Sequence, residues 1–342
     1  MLAVKADWSK TLGVVLGGLL LAAGAAQAQQ LKIKPEWNLR PLPAVKAPAS
    51  NPTTPAKIEL GKMLFFDPRL SGDGSLSCAS CHLPSKGWSD GRPTGSGFKG
   101  KVLARNTPSV INAAHYKTQF WDGRAPSLEE QAKGPLFNPD EMNSTPEKVV
   151  TALSGIPEYR KRFKQVFGGE PTVDRTAAAI AAFERTIVSG PSAFDRYLKG
   201  DKKALSASAR RGFRVFTRDA DCIACHKGPN FTDDKFYNIG VPGSGDKDKG
   251  RYAISRDRKD MGAFKTTGLR DVALTAPYMH DGSMKTLRDA VKHYEKVEES
   301  YPNLSSKIKR WGMTSDDIDD VVEFLKALSG PPIKVTPPKL PS

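Results

Sequence analysis

The chain has 342 residues, 39 % apolar and 26 % charged, which excludes a disordered polymer and a multi-span membrane protein. Lys and Arg outnumber Asp and Glu by 52 to 37, and this net charge of +15 would suit nucleic acid, an anionic membrane or an acidic protein equally. With Gly 30 and Pro 26, together roughly a sixth of the residues, the composition points to a loop-rich fold of about two domains rather than a long coiled coil.

Residues 1–28 read as a secretory signal peptide. Lys5 and Lys10 precede an apolar run over 12–26, and Ala26-Gln27-Ala28 has the small-residue cleavage pattern. The run is shorter than the about 20 apolar residues a spanning helix needs, so no membrane span is expected after cleavage. Export in turn argues against genomic DNA as a partner. Residues 29–54, rich in Pro, Ala and Lys, read as an extended arm. Helical spacing then predicts helices over 56–66, 129–133, 146–153, 158–167 and 174–188, with Gly/Ser/Pro-rich loop over 73–112. A junction is expected near 195–204. Beyond it, helices are predicted over 206–216, 287–297 and 316–328, with Gly/Asp-rich loop over 231–264. Alternating strand patterns are nearly absent. The fold class is therefore mostly α, in two similar helical domains, 55–200 and 201–342.

The four cysteines carry the chemistry. Cys78-Ala-Ser-Cys81-His82 and Cys222-Ile-Ala-Cys225-His226 are both C-x-x-C-H, the spacing of c-type haem attachment. Two thiols bond the vinyl groups of one porphyrin, and the adjacent imidazole ligates its iron. A zinc or redox pair explains neither the histidine after each pair nor the exported setting. A disulfide framework fits worse, because C-x-x-C is a strained spacing. Two covalent haem c groups follow, with His82 and His226 as proximal ligands. The opposite face of each iron decides between electron transfer and small-molecule activation.

Further blocks carry a resemblance. Arg105-Asn106-Thr107-Pro108, Phe120-Trp121-Asp122-Gly123-Arg124-Ala125, Glu130-Gln131-Ala132-Lys133-Gly134-Pro135 and Leu274-Thr275-Ala276-Pro277-Tyr278-Met279-His280 occur in order around the two haem motifs. From about residue 56 to 328 the chain resembles the bacterial dihaem cytochrome c peroxidase and MauG family. The resemblance implies two cytochrome c-like domains, each with one haem, and a calcium ion and a tryptophan between the haems. Trp121 matches that tryptophan, although read alone it is a core residue. Asn106, Thr275 and Pro277 match the calcium positions, where hard oxygen donors suit Ca²⁺; read alone they are turn residues. Gln131 and Glu141 match the distal glutamine and acidic catalyst of a peroxide pocket, and Pro135 a residue that restricts exogenous ligands. Read alone, Glu141 is a solvated turn acid. A carboxylate beside the iron can move the proton between the two peroxide oxygens while an amide orients the molecule.

Two departures favour the MauG-type branch. Many peroxidases of the family close the first iron with a histidine after the first motif, but 83–105 contains none. His115 lies later and reads as a structural residue. At the second haem the peroxidases' methionine position falls on Tyr294, where MauG and its relatives carry tyrosine; an anionic phenolate favours oxidation states above ferric. Met279, Met284 and His293 are the alternatives, and His293 and Tyr294 point about 100° apart on a helix. One further position differs from MauG itself: its surface relay tryptophan is replaced by Ala220, and Asp219-Ala220-Asp221 cannot carry an electron.

The resemblance thus implies a periplasmic enzyme that uses hydrogen peroxide to form a high-valent dihaem state and oxidise an aromatic residue, tryptophan included, of a partner protein. A cytochrome c peroxidase fed by a small donor cytochrome is the second reading. A non-enzymatic dihaem electron carrier is the third. On this view part of the basic excess, Arg105 and Arg270 included, compensates haem propionates, and the rest steers an acidic protein partner.

Overall fold

The computed structural model describes Leu2 and residues 31–342; the signal-peptide reading of 1–28 otherwise falls outside the described residues. Helix α1 (Pro55–Phe65) opens at Thr54, whose side chain accepts the Lys57 N–H at 3.3 Å, with Pro55 in the first turn. It crosses α6 (Val173–Glu184) at Gly61, where a Cβ would lie 1.8 Å from the Ala179 carbonyl oxygen. Only glycine permits that approach. The second half repeats the device. Helix α8 (Ala207–Arg214) crosses α11 (Ser315–Lys326) at Gly212, where a Cβ would lie 1.9 Å from the Asp320 carbonyl oxygen.

Around these crossings lie α2 (Cys78–Cys81), α3 (Leu128–Phe137), α4 (Pro146–Ser154), α5 (Pro157–Phe167), α7 (Ala193–Leu198), α9 (Tyr252–Ser255) and α10 (Leu287–Lys296). The architecture is mostly helical. Strands β1 (Phe236–Tyr237) and β2 (Phe264–Lys265) form one antiparallel pair, with Phe236 opposite Lys265 and Tyr237 opposite Phe264. Among the described residues no helix is long and apolar enough to cross a membrane.

Two hydrophobic cores result. The first gathers Leu60, Leu64, Phe65, Trp88, Phe163 and Phe183, and the second Phe194, Phe213, Phe216, Phe231 and Phe324. The chain ends are exchanged between them. Trp37 and Leu39 of the N-terminal arm join the second core, and Leu31 N–H donates to the Tyr197 hydroxyl at 2.9 Å. The C-terminal Ile333, Val335 and Leu340 pack on the first core, and Arg69 donates to the Pro341 carbonyl at 2.8 Å.

Two local expectations need adjusting. The segment expected as a junction begins inside α7, whose Phe194 and Tyr197 are core residues of the second half. Helix α8 does not stop at residue 216 but widens into a π-type turn over Val215–Asp219, closed by Ala220 N–H to the Val215 carbonyl at 2.8 Å, and delivers the chain directly to Cys222.

Candidate functional site

Each haem motif is a single tight turn followed by an oriented imidazole. In the first, α2 carries Cys78 and Cys81, and His82 Nδ1 lies 3.1 Å from the Trp88 carbonyl oxygen. In the second, Cys222–Ala224 forms a 3-10 turn, and His226 Nδ1 lies 3.0 Å from the Phe231 carbonyl oxygen. A proton on Nδ1 held by a carbonyl leaves Nε2 with its lone pair free for a metal. Burial pushes both imidazoles below their ordinary pKa, so neither competes for that lone pair with a proton at neutral pH. No cysteine is in a disulfide. All six residues line one cavity of about 1310 Å³, larger than the roughly 300–1,000 Å³ typical of a single small-molecule site. Its wall also holds the buried Glu184, whose Oε2 has no partner. Free thiols, oriented imidazoles and unused space fit two covalently held porphyrins.

On the first wall Gln131 and Pro135 stand one helical turn apart on α3, and Glu141 follows in the turn after it. The Asn138 amide donates to Glu141 Oε1 at 2.7 Å, and the Glu141 N–H is held by the Asn138 carbonyl at 3.0 Å. Burial raises the Glu141 carboxyl above its ordinary pKa, against the opposing pull of Asn138 and Arg124. Arg124 itself is engaged elsewhere, stacked 3.5 Å over Phe120 and bonded to Asp122. Glu141 is therefore an oriented, half-buried acid on the cavity wall rather than a fully solvated turn residue. His115 is absent from the cavity lining.

Trp121 is pinned by both halves. Its Nε1 donates to the Asn106 carbonyl at 2.9 Å, and its own carbonyl accepts the Lys265 N–H at 2.8 Å. The Asn106 N–H donates to the His280 carbonyl at 2.7 Å, which ties the 105–108 block to the 274–280 block. Asn106, Trp121 and Thr275 share the cavity wall, whereas Pro277 lies outside it. Among the described residues no group of three or more His, Cys, Asp or Glu side chains could hold a metal ion, so a cation here would rely on carbonyl, amide and hydroxyl oxygens.

Tyr294, on α10, lines the cavity beside Cys222 and Cys225; burial and those two sulfurs push its phenol upward. His293 turns away, and its Nε2 is held 2.8 Å from the Ile239 carbonyl oxygen. Met284 is not in the lining, but Met279 is.

The dihaem cytochrome c peroxidase model matches residues 55–203 and a cytochrome c model matches 209–329. The methylamine utilization protein MauG of Methylorubrum extorquens is 44 % identical over 327 residues, covering 95 % of this chain and 92 % of that protein. The chain belongs to the dihaem cytochrome c peroxidase and MauG family. The cytochrome c551 peroxidase of Pseudomonas aeruginosa is 41 % identical over 339 residues, covering 96 % of this chain and 95 % of its own. A crystal structure of a MauG-like protein associated with microbial copper homeostasis superposes with a TM-score of 0.78 at 32 % identity, covering 84 % of this chain and 93 % of that one. As a dihaem peroxidase of this family, the protein is a haem-dependent oxidoreductase that uses peroxide and carries two haem c groups.

Within this dihaem peroxidase the two arginines expected to compensate propionates are already paired with carboxylates of the chain. Arg105 binds Asp248 through Nε at 2.7 Å and Asp122 at 2.7 Å, and Arg270 grips Asp195 in a two-pronged pair at 2.7 and 2.8 Å. Those partners lie up to 143 positions away, beyond any local pattern. Sequence reasoning also missed Lys265, which is buried with Nζ 2.7 Å from the Thr118 carbonyl oxygen and 4.1 Å from the centre of the Tyr116 ring. Burial lowers its ammonium to about 8 despite Asp234 and Asp122. Glu184, pushed up to about 8 by burial, was likewise invisible: a glutamate late in an alanine-rich helix carries no local signal.

Proposed function

We propose that this peroxidase is an exported, periplasmic member of the MauG-type branch that oxidises an aromatic side chain, tryptophan included, of an acidic partner protein. The observation that carries this reading is Tyr294, which shares the cavity wall with Cys222 and Cys225 while His293 is committed to a backbone carbonyl. The absence of histidine from 83–105 supports it, because that loop offers no imidazole to close the first iron.

When bound, the haems supply iron that accepts peroxide oxygen and stores the oxidising equivalents. The chain's own residues prepare the chemistry. Asn138 fixes the Glu141 carboxyl, and burial raises its pKa above the ordinary carboxylate value, which favours its taking up a proton that it can then return. Gln131 presents an amide from the preceding turn and can orient peroxide, while the rigid ring of Pro135 limits what else enters. Trp121, bonded to residues of both halves, is the redox-active side chain between the two sites. Tyr294 would serve the second haem as a hard phenolate ligand, with His226 as its imidazole ligand. Oxygen atoms of Asn106, Thr275 and Pro277 would hold Ca²⁺.

Met279 in the same cavity wall favours a second reading, in which a thioether ligand serves a cytochrome c peroxidase fed by a small donor cytochrome. One equivalent of hydrogen peroxide added to the fully ferric protein separates the two. A long-lived near-infrared band, lost in Tyr294→Phe, is the MauG-type result. Reaction only after half-reduction, with an unaltered second-haem spectrum in Tyr294→Phe, would overturn the reading.

A further inference from the structure

The position that carries a surface relay tryptophan in MauG is Ala220 here, and it is 4 % exposed, so electrons reaching the second haem site need another path. Strand β1 offers one. The Tyr237 hydroxyl donates to Asp233 Oδ2 at 2.8 Å, and Asp233 Oδ1 accepts the Lys235 N–H at 3.0 Å, which holds the carboxylate in place. Tyr237 shares the cavity wall with Cys225, one of the two thiols that carry the second haem. Tyr237 lines the haem cavity and is half-buried, and Lys307, which covers its ring, is exposed. Pairing with Phe264 in β2 fixes its backbone. Lys307 places its ammonium 4.9 Å over the phenol ring while donating to the Ala224 carbonyl at 3.1 Å.

We infer that Tyr237, with Asp233 as its proton acceptor, is the redox relay between the second haem site and a one-electron donor docked at the protein surface. This rests on the peroxidase activity and not on the identity of the partner. The oxidising equivalent delivered by hydrogen peroxide removes one electron from the phenol. Its O–H bond breaks, the proton passes to Asp233 Oδ2, and a neutral phenoxyl radical remains. The donor then returns one electron and Asp233 returns the proton. Two such cycles supply the two electrons that, with two protons from solvent, convert one hydrogen peroxide into two waters. Lys307 makes the coupling necessary, because a cation above the ring disfavours a radical that keeps its positive charge. Asp233 provides the acceptor at hydrogen-bond distance, so the proton need not diffuse to bulk water.

The test compares wild type with Tyr237→Phe, Asp233→Asn and Asp233→Glu as holoproteins. A reduced small c-type cytochrome serves as the probe donor in stopped flow, in H₂O and D₂O. Samples freeze-quenched after stoichiometric peroxide without donor are read by electron paramagnetic resonance. Wild type should show a tyrosyl signal that Tyr237→Phe lacks, and donor oxidation should fall roughly tenfold in Tyr237→Phe. Asp233→Asn should lower both the radical yield and the solvent isotope effect, and Asp233→Glu should restore them. A Tyr237→Phe protein with the wild-type radical signal and wild-type donor rate overturns the assignment. Should the ferric protein ignore peroxide, the MauG-type reading fails on its own, and the same comparison on half-reduced protein still decides the relay.

Discussion

Asp195→Asn isolates one buried charge pair in the second half. Asp195 and Arg270 side chains are 3 % and 1 % exposed, joined by bonds of 2.7 and 2.8 Å. Asp195 also closes the capping box of α7, accepting the Ser192 N–H and hydroxyl, each at 2.9 Å. Asparagine keeps the shape and an acceptor for the cap, so the loss reports the charge. Stranding the Arg270 cation should cost about 3–5 kcal/mol, a large part of the roughly 5–15 kcal/mol that holds a domain folded. Denaturant unfolding of the holoprotein at pH 7 reads this directly. Adding Arg270→Met should recover much of it, since the stranded charge is then gone. The pH profile supplies a second check. Burial raises the Asp195 carboxyl, but Arg270 and Ser192 outweigh it and leave its folded pKa below the ordinary value. The pair's contribution is therefore present above the unfolded carboxylate pKa of about 3.9 and is lost as pH falls below it. Asp195→Asn should lack that acid limb. A loss under about 1 kcal/mol, the range of exposed pairs, with the acid limb unchanged would refute the reasoning.

Glu141→Gln keeps the size of the side chain and the Asn138 contact but removes the proton shuttle; the rate of reaction with peroxide should fall by roughly 10²–10⁴-fold in stopped flow. An unchanged rate would remove Glu141 from that role. For Lys265, the folded ammonium releases its proton near 8 whereas the unfolded one keeps it to about 10.4, so the unfolded chain binds more protons between them and stability rises with pH across that window. Lys265→Met should lack that rise when unfolding midpoints are compared at pH 7.5 and 10; an identical slope would mean that Lys265 stays solvated.

Local chemistry was legible and long-range assembly was not. C-x-x-C-H is contiguous because one porphyrin must meet both thiols and the imidazole, so Cys78–His82 and Cys222–His226 declare themselves. Helix starts at Thr145, Ser206 and Thr314 are local in the same way, since caps act within three residues. The roles of Glu141, Gln131 and Trp121 came from resemblance, and their own neighbours in sequence say little. The segment 231–264 reads as loop, yet it contains β1, α9 and the start of β2, because its order comes from partners such as Lys265 and Trp121 rather than from periodicity. The face-to-face stack of Phe264 on His280 at 3.7 Å, and the Arg105 pairing with Asp122 and Asp248, belong to the same class. Tertiary contacts made them.

The exchanged chain ends bear on how this protein can be divided. Two haem modules of similar design invite the idea that either could be cut free, inherited singly or grafted elsewhere. Yet a break between them leaves the first without Ile333, Val335 and Leu340 and the second without Trp37 and Leu39. Loss of residues 31–39 would open the second core, and loss of 333–341 the first. The modules are clasped like folded arms, and any relative that lost one of them would have had to rebuild the other.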